Sequence, residues 1–111
     1  MRINIVQDPA KLQWQPITQL GKGAWVKVLS QDDKTGAFCG LVKFDPGFSE
    51  PIHCHPANHD LFVVEGSLID TKTKIVYKKG HYLWAAAGEM HGPYSAPEGC
   101  ILLSSMNGPA F

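Results

Sequence analysis

Glycine and proline set the first limit on what this chain can form. Eleven glycines and eight prolines are spread along the 111 residues rather than clustered, and each interrupts a helix or marks a turn. Between them lie short runs rich in β-branched and aromatic residues: AWVKVLS at 24–30, AFCGLVKF at 37–44, PIHCH at 51–55, DLFVVEG at 60–66, KIVYKK at 74–79, HYLWA at 81–85 and CILLSSM at 100–106. Little of the sequence keeps a helical period over about ten residues, so the spacing predicts an all-β sandwich or barrel of short strands. One helical turn is expected near DPAKLQW, with Asp8 as its cap and Pro9 in the first helical position. No segment repeats at a fixed period and none has the length of a linker, which predicts one domain over residues 1–111.

A hydrophobic fraction of 44% supports one small core. A closed sheet or a dimer contact would help such a chain bury its apolar faces. Ten Lys and Arg balance ten Asp and Glu, and KKG at 78–80 is the densest basic spot. Nucleic-acid binding draws on a basic face that releases counterions from phosphates, and the sequence lacks that footprint. Cys39, Cys54 and Cys100 form an odd count without CxxC spacing, which fits a reducing compartment better than a disulfide-stapled secreted domain. The amino terminus turns polar by Gln7 without the apolar region of a leader, and the apolar runs are too short to span a bilayer. A cytoplasmic protein with no membrane or nucleic-acid partner is expected.

Three of the five histidines fall within seven positions, in PIHCHPANHDLFVVEG at 51–66. If 51–55 is a strand, His53 and His55 point to one face and Cys54 to the other, as a small buried hydrophobe. PAN turns the chain, and a strand that begins at His59 puts His59, Leu61 and Val63 on one face. A hairpin-like return then sets His59 beside His53 and His55. A single histidine in such a place reads as a satisfied polar residue or a surface one. Three together favour a metal, because neutral imidazole is the commonest nitrogen ligand.

The spacing resembles the two motifs of the cupin family. The first runs G-x5-H-x-H-x3,4-E-x6-G, and Gly47, His53, His55, His59 and Gly66 match it over 47–66. The second runs G-x5-P-x-G-x2-H-x3-N, and Gly80, Ala86, Gly88, His91 and Ser95 match its spacing over 80–95. Ala86 stands for the usual proline, Ser95 for the asparagine and His59 for the glutamate. Asp60 is the alternative third ligand, since the motif allows four intervening residues, but only His59 keeps six residues before Gly66 and the inward parity of its strand.

The resemblance implies a single-domain cupin, a small antiparallel jelly-roll β-barrel, with one divalent transition ion (Fe(II), Zn, Ni or Mn) held by His53, His55, His59 and His91. Four neutral imidazoles leave the ion its full charge, which favours an anionic small-molecule ligand. Within the cupins the chain is similar to the subgroup of acetylacetone-cleaving and dihydroxyacetophenone-cleaving dioxygenases, which also holds zinc-binding cupin domains of anti-sigma factors. A metal-dependent dioxygenase acting on a β-diketone-like or phenolic ketone is the leading expectation. A non-enzymatic metal- or ligand-sensing module and an isomerase or cyclase are the alternatives, the last with His81, Tyr82 or Tyr94 as the base. Glu89, two residues before His91, is the candidate catalytic residue, either orienting an imidazole or standing as a solvated loop carboxylate. Otherwise His81 reads as structural or surface, and Glu65 as serving the turn before Gly66. Cupins pair by sheet extension, so a homodimer is expected. Nothing resembles a Ser/His/Asp triad, a phosphate loop or a dinucleotide fingerprint.

Overall fold

The computed structural model describes residues 7–111; residues 1–6, most of the segment read above as lacking a leader, lie outside the described residues. Among the described residues nine strands follow one another: β1 Gln15–Pro16, β2 Ala24–Gln31, β3 Phe38–Phe44, β4 Phe48–Glu50, β5 His59–Asp70, β6 Val76–Lys78, β7 Tyr82–Ala85, β8 Tyr94–Ala96 and β9 Cys100–Met106. Two single 3-10 turns, Pro9–Lys11 and Thr18–Leu20, are the helical pieces among the described residues. The first is the expected one: Asp8 caps it, and its side chain accepts a hydrogen bond from the Ala10 amide at 3.0 Å. Among the described residues no helix is long and apolar enough to cross a membrane.

All strand pairs are antiparallel, in the order β1-β2-β3-β9-β5-β8-β4, with β6 and β7 also on β5. Strand β5 curls the sheet. Its first half, His59–Phe62, pairs with β7 and β9, and its second half pairs with β6 and β8. A register shift between Val63 and Glu65 opposite β9 bends it there, as an extra residue in one strand does. Gly66 follows the bend with φ +73°, and a Cβ on it would collide with the Gly99 carbonyl oxygen. The expected end of this strand at residue 66 is therefore a bend, and the strand continues to Asp70.

Burial follows the two-residue period of a half-buried strand. On β5, His59, Leu61 and Val63 are buried, and on β9, Cys100, Leu102, Ser104 and Met106. With Phe44, Phe48, Leu68, Leu83 and Tyr94 they form most of the interior; each large apolar side chain fully buried contributes about 1.5–3 kcal/mol. The outer face carries Phe62, Tyr82, Trp84 and Leu103 exposed.

The expected strand at 51–55 is not formed. The ladder stops at Glu50, and His53 joins His91 in an isolated two-way bridge, with N–H to carbonyl distances of 3.0 and 2.8 Å. Pro51 and Pro56 explain this, since neither can donate to a ladder. Without that strand, Cys54 is exposed rather than buried.

Candidate metal centre

Two loops bring the histidines together. Residues 53–58 lead into β5, and 86–93 connect β7 to β8. Besides the His53–His91 bridge, the Gly88 amide donates to the His55 carbonyl and the Ala87 amide to Asn58 Oδ1, each at 2.8 Å. The rings then pack edge to face: centroids lie 4.2 Å apart for His53 and His91, 4.8 Å for His53 and His55, and 5.2 Å, tilted, for His55 and His91. One ligating nitrogen of each of these three lies within 4.8 Å of the others.

Hydrogen bonding decides which nitrogen that is. Nδ1 of His53 meets the Pro51 carbonyl at 2.6 Å, Nδ1 of His55 the Ala110 carbonyl at 2.8 Å, and Nδ1 of His91 the Glu89 carbonyl at 3.3 Å. A carbonyl only accepts, so each Nδ1 carries the proton and each Nε2 keeps its lone pair. This is the arrangement that orients imidazoles for a metal. Burial, set against its carbonyl and helped by neighbouring imidazoles, lowers the pKa of His53 and takes that of His91 down to about 4. Both rings are thus neutral near pH 7, the state in which they bind an ion. The donor set fits one divalent transition ion.

His59, the fourth expected ligand, stands beside the triad but is wired differently. Its ring centroid is 4.9 Å from that of His55, yet its Nε2 is engaged with Ser104 Oγ at 2.6 Å. Its Nδ1 is the one buried side-chain polar atom without a partner among the described residues. Burial, then the charges of the other imidazoles, pushes its pKa down to about 3. Asp60 faces outward and accepts a hydrogen bond from the Tyr82 hydroxyl.

Glu89 is exposed, and what reaches His91 is its main-chain carbonyl. His81, also exposed, accepts from the Lys78 amide at 3.0 Å in the turn before β7. Glu65 forms a surface pair with Lys79 at 3.5 Å. Of the three residues considered as a base, Tyr94 alone lines the cavity.

That cavity measures about 240 Å³. His53, His55, His59, His91, Tyr94 and Glu50 give it a polar wall, and Ile17, Leu20, Val42, Leu61, Leu68 and Leu102 are among its apolar lining. Glu50 is the residue that sequence reading missed. It is 8% exposed, its Oε1 lies 3.6 Å from His53 Nε2, and burial raises its pKa to about 7. The signal was strand parity: Phe48 and Glu50 share a face of β4, and Phe48 is plainly a core residue.

A curled antiparallel sheet that closes over a histidine cluster in this way defines a cupin. The chain belongs to the family described as ChrR Cupin-like domain, whose model matches residues 3–109. No curated protein matches the sequence. Among solved structures it resembles an RmlC-like cupin protein from Ralstonia eutropha JMP134, at 25% identity and TM-score 0.80 over 96% of this chain and 70% of that one. It also resembles a putative acetylacetone dioxygenase from Methylibium petroleiphilum PM1, at 16% identity and TM-score 0.77 over 97% and 81%. An acetylacetone dioxygenase from Acinetobacter johnsonii follows the same fold, at 14% identity and TM-score 0.73 over 96% and 78%.

Proposed function

We propose that the protein is a metal-dependent dioxygenase for a small, largely apolar ketone that can enolise, either β-diketone-like or phenolic. The observation that carries this reading is a triad of imidazoles, each tied at Nδ1, facing a mostly apolar cavity of about 240 Å³. His53, His55 and His91 would hold the ion through Nε2. When bound, a divalent ion supplies Lewis-acid polarisation of an enolised carbonyl and a place for O2.

The chain's own residues do the rest. The carbonyls of Pro51, Ala110 and Glu89 fix the three rings. Leu61, Leu68 and Leu102 exclude water and receive the apolar part of the substrate. Three ligands rather than four leave more of the ion's sphere open to reactants than a closed structural site does. The fold similarity to acetylacetone dioxygenases supports the choice of chemistry, and the site supports it independently.

Two measurements test the reading. Elemental analysis of untagged protein should give one transition ion per chain, lost in the His53→Ala/His55→Ala double variant. Oxygen uptake by Fe(II)-reconstituted protein should respond to at least one member of a panel of β-diketones and hydroxyketones. Equal metal content in parent and variant overturns the site, and silence across the panel with metal bound overturns the activity.

A further inference from the structure

We propose that Glu50 reads the bound ligand: its carboxyl accepts a hydrogen bond from an O–H that the ligand keeps on the oxygen coordinated next to His53. The proposal rests on the reading that His53, His55 and His91 hold an ion, and it narrows the substrate to compounds that coordinate through a hydroxyl.

Glu50 is only 8% exposed, in a cavity whose lining is mainly apolar. Strand geometry puts it there. β4 pairs with β8 so that Glu50 sits opposite Tyr94, and both side chains are buried on the inner face. Among the described residues no group hydrogen-bonds to the carboxyl, and the neutral His53 Nε2 lies 3.6 Å from its Oε1. Its oxygens are not fully enclosed, so the carboxyl opens on the cavity and is available to a donor there. Since it caps no helix and ties no loop, it is not explained as a structural brace.

Its distance from His53 gives it a use. An ion held on His53 Nε2 at about 2.1 Å would bring its other ligand atoms close to that nitrogen. Glu50 Oε1, 3.6 Å from Nε2, would be within reach of a hydrogen bond of about 2.5–3.0 Å from one of them. The position equivalent to the cupin glutamate holds His59 here, so the carboxyl at this centre comes from β4 instead. A phenolic or α-hydroxy ketone would coordinate through its hydroxyl and keep the proton, which it can share with Glu50 in a hydrogen bond. The enolate of a β-diketone has none.

Glycolate and methoxyacetate test this, because they form the same chelate ring and differ in O–H against O–CH3. Zinc-loaded full chain is titrated with each by calorimetry. The parent should bind glycolate about three- to tenfold more tightly than methoxyacetate, the range of a single hydrogen bond. Glu50→Leu should keep one metal per chain and bring the two affinities within about twofold, and Glu50→Gln should retain part of the preference. If Glu50→Leu does not fold, Glu50→Gln alone decides, by a reduced ratio. An unchanged ratio in a metal-loaded variant overturns the role of Glu50 and leaves the metal reading intact. Loss of metal in the Glu50 variants alone makes it a ligand and also overturns this role. A parent that takes up no metal overturns the metal reading and the proposal with it.

Discussion

At the scale of single residues the two buried partners His59 and Ser104 show how little spacing says about wiring. Motif spacing singled out four histidines as equivalent. They differ because the groups that fix their rings come from far along the chain: Ala110 is 55 residues from His55, and Ser104 is 45 from His59. No local pattern carries that information. Glu50 escaped notice for a related reason, lying just outside the strand assigned at 51–55. The His59 pairing makes a prediction. Ser104→Ala leaves Nε2 buried and unpaired beside an Nδ1 that already lacks a partner, and should cost about 1–3 kcal/mol. His59→Leu with Ser104→Ala removes both polar partners and should recover part of that loss. All three proteins, His59→Leu included, should keep one metal per chain. Urea denaturation and elemental analysis on the same preparations check both statements, and loss of metal in His59→Leu makes His59 a fourth ligand.

Elements were more legible than contacts. The runs at 24–30, 37–44 and 100–106 lie in β2, β3 and β9 almost residue for residue, because β-branched and aromatic runs between turn residues bury one face whatever their partner. The segment 51–55 misled because alternation was read without the cost of two prolines in a ladder. β8 was missed because three residues between Pro93 and Pro97 are too few to show a period. The bend in β5 was missed too, though its glycine was noted as part of a motif. That glycine separates two effects of a methyl group. Gly66 and Gly80 both have positive φ, +73° and +87°, but a Cβ at Gly80 meets nothing within 4 Å while one at Gly66 strikes the backbone of Gly99 and Cys100, where β9 begins. Gly80→Ala should cost about 1 kcal/mol of left-handed backbone strain. Gly66→Ala should cost about 3 kcal/mol or more, since neither strand can yield without breaking its ladder. Chemical denaturation of the two variants measures the difference, and equal costs would mean that the sheet gives way at the bend.

For the whole molecule, the interior holds two weak acids that must stay protonated for it to remain closed. Cys100 and Tyr94 are 4% and 6% exposed and belong to the core cluster. Burial is the main cause that raises both, Cys100 from 9.0 to about 12 and Tyr94 from 10.0 to about 12; the charge of Asp70 adds to it at Tyr94. Their folded pKa values lie above the unfolded ones, so the folded state holds more protons than the unfolded state across that interval. The stabilisation is complete below pH 9, declines as pH rises through 9 to 12, and is exhausted above the folded values. Each group contributes about 1.4 kcal/mol per pH unit within its window. Cys100 acts alone from about pH 9 and Tyr94 joins from about pH 10, so the slope of stability against pH should roughly double across pH 10. Cys100→Ala removes one titration while leaving a small apolar side chain in the core. It lowers stability at neutral pH through the lost packing, but its stability should stay flat to pH 10 and then fall with the single slope of Tyr94. Urea denaturation of parent and variant at half-unit steps from pH 8 to 11 reads the two slopes. Parallel curves for the two proteins over pH 9–10 would show that Cys100 does not gate the alkaline opening of the barrel.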